Sequence, residues 1–435
     1  GLTSTESIAA FTATQIGAFA TKQLKIFTSD QISAIETNDI TGLTAKQVQS
    51  LNTAAIFQGL STEQVSTMTT DQLSAFKTKQ FVVLTSSQLA AFATDAIDAI
   101  STKQIKSMSS IQISGLTVEE VNQISAFNTL QMMALETNDI AQGLSTYQFN
   151  ALSATQIAAL KTKQFAAVTT IQVAAMDTNE FSSLTTRQVA ALNSEQLALG
   201  INTDAISVFT TDQIGVLSTT AISTLTSGQL QGMTTNQISA ITTKQLIQID
   251  SQSLSGITMN EEFTSNIAGL QTNQVGALTT RQFSVLETWV LSALSTDMIV
   301  ELKTKHFDAM TSTQLGNLTT AQVAAIETRD IQALGSHAFS LLNTLQAPVL
   351  TTAQIQALTT DQMYNISSEN FAQFTTDQVG AVETRDFRGF LSASLSAMGT
   401  AQIGAISTKV INAMTSQQIL GITSDIIGLT TSQVK

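Results

Sequence analysis

The chain has 435 residues, of which 43% are apolar and 12% are charged, and its formal net charge is −13. No run of Lys or Arg occurs, which excludes the phosphate neutralisation of nucleic-acid binding and docking on anionic lipid. Cysteine is absent, so disulfides and thiolate chemistry are excluded. The apolar share is sufficient for a continuous core, and no stretch is apolar for long enough to predict a membrane span.

One motif of eight residues recurs in chain order from end to end. It reads Phe-Thr-Ala-Thr-Gln-Ile-Gly-Ala at 11–18, Met-Thr-Thr-Asp-Gln-Leu-Ser-Ala at 68–75 and Leu-Thr-Thr-Ala-Gln-Val-Ala-Ala at 318–325. The consensus is Φ-T-T-x-Q-Φ-x-A, where Φ is a large apolar residue, and roughly fifty copies fill the chain. Such repeats stack to extend a surface and rarely build a pocket of convergent catalytic groups.

An uninterrupted helix does not fit this period, because eight residues at about 100° each advance about 80° beyond two full turns. No apolar stripe would persist, so the backbone must turn once in each repeat. The period therefore predicts an all-α solenoid of very short helices, each about one and a half to two turns long. Helices of this length are stable only when their apolar faces stack.

The turn is predicted at the Thr and Ser residues of positions 2 and 3 of the repeat. With position 2 as N-cap, Thr-x-x-Gln forms a capping box, as in Thr69 with Gln72. Where position 2 cannot cap, as at Lys77 and Lys161, Thr at position 3 is the better candidate. The sequence leaves these two registers open.

A β-solenoid is the alternative fold, because eight is an even number and Thr, Ile, Val and Phe suit strands. However, the two Φ positions are five apart and would face opposite sides of a strand without a bulge. The Ala and Gln content and the scarcity of Asn-Gly and Asp-Gly turns also favour helices.

The repeats are interpreted as a single continuous array over 1–435 that contains a few departures from the period of eight. A Gly beside such a departure predicts a left-handed C-cap, and hence a bend or a boundary between stacked units. Segment 334–349, with the single proline Pro348, is predicted to form a longer helix with a sharp stop. The repeats at both ends carry no polar capping unit, so we expect a longer parent chain or ends covered by neighbours. The departures lie near 52–59, 125–143, 197–200, 258–269 and 331–348.

No catalytic or cofactor-binding residue is predicted, and the chain is expected not to be an enzyme. Neither a nucleophile elbow, a zinc-protease helix nor a phosphate-binding loop occurs in the sequence. His306 replaces the Gln of its repeat and is interpreted as a surface variant.

Five acidic repeats are the one non-random charged motif, and they carry the only predicted metal site. In each, two carboxylates stand three residues apart with a Thr between them, an oxygen-rich set suited to Ca²⁺. The alternative is that the second acid lies near a helix N-terminus while the first pairs with Lys or Arg. The candidate calcium ligands are Glu36, Asp39, Glu136, Asp139, Asp177, Glu180, Glu327, Asp330, Glu383 and Asp386.

The Leu-Thr-Thr-x-Gln-Val/Ile-x-Ala-Leu arrays resemble those of large, repetitive, secreted surface proteins of Gram-negative bacteria, of the adhesin-like, exoprotein and S-layer-like kinds. The resemblance covers nearly the whole chain. It implies export, self-assembly and contact with neighbouring molecules or matrix, without catalysis.

From the repeats and this resemblance we expect a structural component that assembles with itself, end to end or laterally, into a layer or filament. The expected location is extracellular, at a bacterial cell surface. The alternative is an adhesin or carbohydrate-binding module, in which ladders of Thr, Gln and Asn bind an extracellular glycan. No nucleic-acid partner is expected.

Overall fold

The computed structural model of the chain describes residues 4–116, 123–257 and 269–435. The chain divides into two compact units, Gly1–Ala221 and Ile222–Lys435, here named unit 1 and unit 2. Both consist of short helices, and no strand occurs in the described ranges. The predicted all-α solenoid is therefore confirmed, and the β-solenoid alternative is wrong.

Three helices make one coil of each unit. In most cases a helix packs against the third helix before it and the third after it along the chain, so each unit contains three columns of stacked helices. None of the helices in the described ranges has the length and apolar character needed to cross a lipid bilayer.

The helices of unit 1 follow this order. The first column contains Thr5–Ala9, Ser29–Ser33, Ala55–Gly59, Thr78–Phe81, Thr102–Ser107, Thr129–Met132, Ala154–Ala159, Thr178–Ser183 and Thr203–Ser207. The second contains Ala13–Gly17, Asp39–Gly42, Thr62–Thr67, Ser86–Ala90, Ser110–Ser114, Asp139–Gly143, Thr162–Ala166, Thr186–Val189 and Thr211–Gly215. The third contains Thr21–Leu24, Ala45–Val48, Thr70–Ser74, Thr94–Ile97, Ile124–Ala126, Thr146–Asn150, Thr170–Ala174 and Gln196–Gly200. A further helix, Thr219–Ile222, ends at the boundary between the units.

Unit 2 repeats the arrangement. Its first column contains Ser227–Gly232, Ser253–Ile257, Thr280–Ser284, Thr304–Asp308, Thr328–Ala333, Thr352–Ala357, Thr376–Ala381, Thr400–Ala405 and Thr423–Gly428. The second contains Thr235–Ala240, Thr288–Ala293, Ser312–Gly316, Ser336–Leu341, Thr360–Tyr364, Asp386–Gly389, Thr408–Ile411 and Thr431–Val434. The third contains Thr243–Leu246, Thr272–Ala277, Thr296–Glu301, Thr320–Ala325, Ala347–Val349, Ser368–Phe371, Ser392–Ser396 and Ser416–Gly421.

Position 2 of the repeat is the N-cap, which decides between the two registers left open by the sequence. The Thr69 hydroxyl accepts from the Gln72 N–H at 3.3 Å, and the Gln72 Oε1 accepts from the Thr69 N–H at 2.8 Å. At Lys161 the side chain makes no cap, yet Gln164 Oε1 still accepts the Lys161 N–H at 2.7 Å. The Gln half of the capping box is thus sufficient to start a helix at position 3.

The core consists of the two Φ residues of each repeat. In the repeat that begins at Leu152, for example, both Leu152 and Ile157 are buried, and so is Leu160 at the start of the next. Successive coils bury these residues against each other, which supplies the stability that isolated helices of three to six residues lack.

Three repeats of unit 1 contain nine residues, and each absorbs the extra residue in a π-helix. These wider turns are Ala55–Gly59, Asp139–Gly143 and Gln196–Gly200. They lie within or overlap the departures from the period of eight that the sequence places near 52–59, 125–143 and 197–200. The departure predicted at 258–269 lies outside the described residues, apart from Gly269.

The predicted left-handed glycine caps are wrong. No glycine has a positive φ in the part of the chain that the structure describes. Glycine is instead required for close approach between coils: a Cβ at Gly59 would lie 2.7 Å from the carbonyl oxygen of Ser29, on the preceding helix of its column. Glycine is required at this position because the neighbouring backbone leaves no space for a Cβ, and not because the chain bends there.

Segment 334–349 does not form the predicted longer helix. It contains two short 3₁₀ helices, Ser336–Leu341 and Ala347–Val349. Buried Leu334, Leu342 and Leu350 keep the spacing of eight, so the unusual residues of 331–348 are accommodated without a change of period.

Candidate functional site

The most regular polar arrangement of the molecule is a ladder of buried Gln side chains at position 5, here named the Gln ladder. Gln172 shows the geometry: its Oε1 accepts from the Thr169 N–H at 2.8 Å, which caps its own helix. Its Nε2 donates to the carbonyl oxygens of Ile140 at 2.9 Å and Leu144 at 2.8 Å, one coil earlier. The amide thus joins the start of one helix to the end of a helix in the coil before.

The same bonds recur along both units. Gln80 accepts from the Lys77 N–H and donates to Val48 and Leu51, and Gln378 accepts from the Thr375 N–H and donates to Ala347 and Leu350. These Gln side chains are buried. Because the helices are too short to satisfy their last carbonyl groups internally, the ladder supplies donors that would otherwise be lacking.

The Gln amides are buried and do not lie at the surface, where they were expected to be able to bind a glycan. Their oxygen and nitrogen atoms form hydrogen bonds within the protein. The capping box was predicted, and the bonds to the preceding coil were missed. A signal for them exists, since Glu would serve a capping box equally well, whereas the repeats use Gln almost throughout and so require its N–H₂ group.

Four Asp residues occupy position 5 in the acidic repeats and reverse the direction of the bond between coils. Asp330 Oδ1 accepts from the Thr304 hydroxyl at 2.7 Å, and Asp386 Oδ1 accepts from the Thr360 hydroxyl at 3.0 Å. In unit 1, Asp139 accepts from the Ser110 hydroxyl at 3.3 Å, and Asp39 accepts from the Ala13 N–H at 2.6 Å. Each partner is the first residue of the preceding helix of the column, so Asp binds a helix start where Gln binds a helix end.

The first acids of these repeats are exposed, apart from the half-buried Glu327, and two of them form ion pairs within the repeat. Arg329 contacts Glu327 at 2.8 Å and Asp330 at 3.4 Å, and Arg385 contacts Glu383 at 3.2 Å and Asp386 at 3.0 Å. Such pairs contribute little where the charges are solvated.

The remaining acids complete the predicted calcium set. Glu136 is exposed and lies 3.4 Å from Lys106, Glu36 is exposed, and Asp177 is the N-cap of the helix that contains buried Glu180. The described residues contain no group of three or more acidic, His or Cys side chains that could hold a metal ion. A calcium site on these acids stays a prediction, and the buried acids would have to exchange protein donors for it.

His306 is not the predicted surface variant, because its side chain is fully buried. Its Nδ1 accepts from the Lys303 N–H at 2.9 Å, and its Nε2 lies 2.8 Å from the carbonyl oxygen of Leu278. The neutral imidazole with a proton on Nε2 reproduces both bonds of the Gln ladder. Burial lowers the pKa of His306 from its ordinary value, since the charged form is poorly solvated there.

Two sets of exposed large apolar side chains lie on neighbouring helices of unit 1. Phe57, Val82 and Ile111 line a shallow groove with a volume of about 610 Å³. Tyr147, Ile171 and Leu199 lie on three successive helices of the third column, with exposed fractions of 65%, 70% and 71%. The second set is here named the apolar row.

The ALTTAQ repeat family matches four segments, residues 32–70, 132–170, 323–360 and 379–416. These matches cover about a third of the chain and show that it is a repeat protein. No curated protein matches the chain significantly. Among solved structures, the leucine-rich repeat-containing protein LegL7 from Legionella pneumophila is similar with 8% identity and a TM-score of 0.17, over 50% of this chain and 83% of LegL7. A likeness of that size does not assign a fold.

Proposed function

We propose that this repeat protein is a structural scaffold without catalytic activity that assembles laterally with further copies of itself in a bacterial cell-surface or extracellular layer or filament. The observation that carries the proposal is that polar and apolar side chains of the repeat have different places in the solenoid. The polar groups that converge between coils are used to hold the solenoid together. Apolar side chains, in contrast, recur on the outer side of successive coils.

The apolar row is the surface that we assign to lateral contact. Tyr147 and Ile171 occupy position 4 of their repeats, and Leu199 lies four positions further along its nine-residue repeat, so one exposed apolar side chain lies on the third-column helix of each of three successive coils. A second copy carries the same row with the same spacing, and two rows can therefore match along their length. Burial of apolar area contributes about 25 cal/mol per Å², and the low charge content adds little repulsion at physiological salt.

Lateral assembly is tested with the full chain by size-exclusion chromatography with light scattering and by negative-stain electron microscopy. We expect concentration-dependent oligomers or arrays from the wild type, and their loss from a triple variant with Tyr147→Ser, Ile171→Ser and Leu199→Ser. The matched control is Glu63→Ser with Lys163→Ser, which changes exposed position 4 residues of the second column without altering the net charge. A wild type that remains monomeric at high concentration, or a control that assembles as poorly as the triple variant, would contradict the proposal.

The surface location is supported by the resemblance to secreted repeat proteins. It is tested by labelling intact cells of the native host with an antibody against the chain. Labelling that requires permeabilised cells would overturn this part of the proposal and leave the assembly test unaffected.

A further inference from the structure

Unit 1 carries a second apolar surface besides the apolar row. Phe57, Val82 and Ile111, with exposed fractions of 52%, 49% and 75%, line the shallow groove of about 610 Å³, here named the apolar groove. Phe57 and Val82 occupy position 7 of first-column repeats, and Ile111 occupies position 4 of a second-column repeat. None of the described residues that line the groove is charged, so an apolar occupant does not have to desolvate a charge there.

The apolar groove and the apolar row extend over the same number of coils. The three side chains of the groove come from three successive coils, which begin with helices Ala55–Gly59, Thr78–Phe81 and Thr102–Ser107. The row likewise has one large apolar side chain on each of three successive coils. Because both surfaces are built on the same stacked repeat, a row laid along a groove brings one row side chain to each groove side chain.

In each surface one apolar side chain is carried by a π-helix. Phe57 lies in Ala55–Gly59, and Leu199 lies in Gln196–Gly200. The core residues of the same turns, Ile56 and Leu197, are fully buried. The wider turns therefore add a large apolar side chain to each outer surface without opening the core.

The charges beside the two surfaces favour one direction of docking. Glu195 is exposed on the same coil as Leu199, and Lys103 is exposed on the same coil as Ile111. When row and groove run parallel, Leu199 meets Ile111, and the two opposite charges lie at the same end of the contact. In the reverse direction Glu195 lies beside the coil of Phe57, where residues 51–64 include no cation. Charge complementarity therefore favours the parallel alignment.

We propose that the apolar row of one copy of this chain seats in the apolar groove of a second copy. This inference rests on the proposed lateral assembly and names the surface that receives the row. A contact of row with row is self-complementary, so it joins two copies and ends there. A contact of row with groove uses two different surfaces, since the third column carries the row and the first two columns carry the groove. Each added copy then presents a further row or groove, and the contact propagates as a layer or filament requires.

The test is a complementation experiment with two full-chain variants. The row variant is the triple serine variant of the row described above, and the groove variant carries Phe57→Ser, Val82→Ser and Ile111→Ser. The substituted side chains are exposed, and circular dichroism checks that both variants fold like the wild type. In light scattering at concentrations at which the wild type assembles, each variant alone should be monomeric, because it lacks one of the two surfaces. Their equimolar mixture should form a complex of one row variant with one groove variant and nothing larger, because only one intact row meets one intact groove.

Two further sets of variants serve as a control and as a test of direction. Ile26→Ser with Leu130→Ser removes two exposed apolar side chains of unit 1 that lie outside both surfaces, and this pair should assemble as the wild type does. Glu195→Lys or Lys103→Glu alone should raise the concentration needed for half-assembly about 3-fold at low salt. The two reversals together in one chain should restore the wild-type value.

Several results would overturn the contact of row with groove. A groove variant that assembles by itself, into pairs or into arrays, would do so and would leave lateral assembly through the row intact. So would a mixture without the mixed complex, or a control pair that assembles as poorly as the groove variant. Charge reversals that leave assembly unchanged would refute the parallel direction. A wild type that remains monomeric would instead contradict the proposed lateral assembly itself, and this inference with it.

Discussion

Replacing Gln354 by Met tests the contribution of the Gln ladder to stability. Gln354 is buried in helix Thr352–Ala357, near the middle of unit 2. Its Oε1 accepts from the Thr351 N–H at 2.8 Å, and its Nε2 donates to Val323 at 2.9 Å and to Ile326 at 2.7 Å. Met has a similar volume, so the substitution removes hydrogen bonds without leaving a large cavity.

The magnitude follows from the groups that lose a partner. The Val323 carbonyl keeps a bond from the Ile326 N–H at 3.3 Å. Within the described residues, the Thr351 N–H and the Ile326 carbonyl have no other protein partner. The Ile326 carbonyl is buried, and an unsatisfied buried group costs about 1–3 kcal/mol, whereas Thr351 is exposed and its N–H can bind water instead. We therefore expect a net loss of about 2 kcal/mol, which for a unit of this size corresponds to a decrease in Tm of about 4–8 °C.

The measurement is urea and thermal unfolding followed by circular dichroism. The control is Gln356→Met, because Gln356 lies on the same helix and is exposed, and it should change the free energy of unfolding by less than about 0.5 kcal/mol. If the two variants are equally stable, the bonds between coils contribute nothing measurable and the reasoning about the ladder is refuted.

Three further predictions concern single positions. Gly59→Ala should destabilise unit 1 by about 1–3 kcal/mol through overlap with the preceding helix of its column, while Gly335→Ala, where a Cβ meets nothing within 4 Å, should be neutral or stabilising in the same unfolding assay. Unit 2, which contains His306, should lose stability as the pH falls below about 6.5, because the pKa of His306 is lowered in the folded chain; His306→Gln should remove that loss in thermal scans at about pH 5 and about pH 8, and a variant with the same pH dependence as the wild type would exclude His306 as its source. Lys161→Thr adds a hydroxyl acceptor for the Gln164 N–H and should stabilise unit 1 by about 1 kcal/mol in urea unfolding; a variant no more stable than the wild type would show that the hydroxyl half of the box adds no measurable stability.

Features that depend on residues close together in the sequence could be predicted, whereas features that depend on contacts between coils could not. Thr69 and Gln72 stand three residues apart, and their reciprocal bonds were predicted because they require only local geometry. His306 was placed wrongly at the surface, since the role of position 5 depends on the carbonyl group of Leu278, one coil away. The glycines were misinterpreted for the same reason, because the atoms that exclude a Cβ at Gly59 belong to a helix about 30 residues earlier.

The sequence by itself determined that the chain forms short capped helices with a buried apolar face, because a period of eight is incompatible with a continuous helix and the caps act within four residues. Only the tertiary structure decided that three helices make one coil, and therefore which residues meet. The number of helices per coil depends on the angle at each corner and on packing between columns, neither of which an eight-residue period specifies. Three helices per coil place the partners of Gln172 at 28 and 32 residues earlier in the chain. They also explain why Glu180 is buried while Asp177 is exposed, because stacking of the coils removes a side chain at position 5 from water.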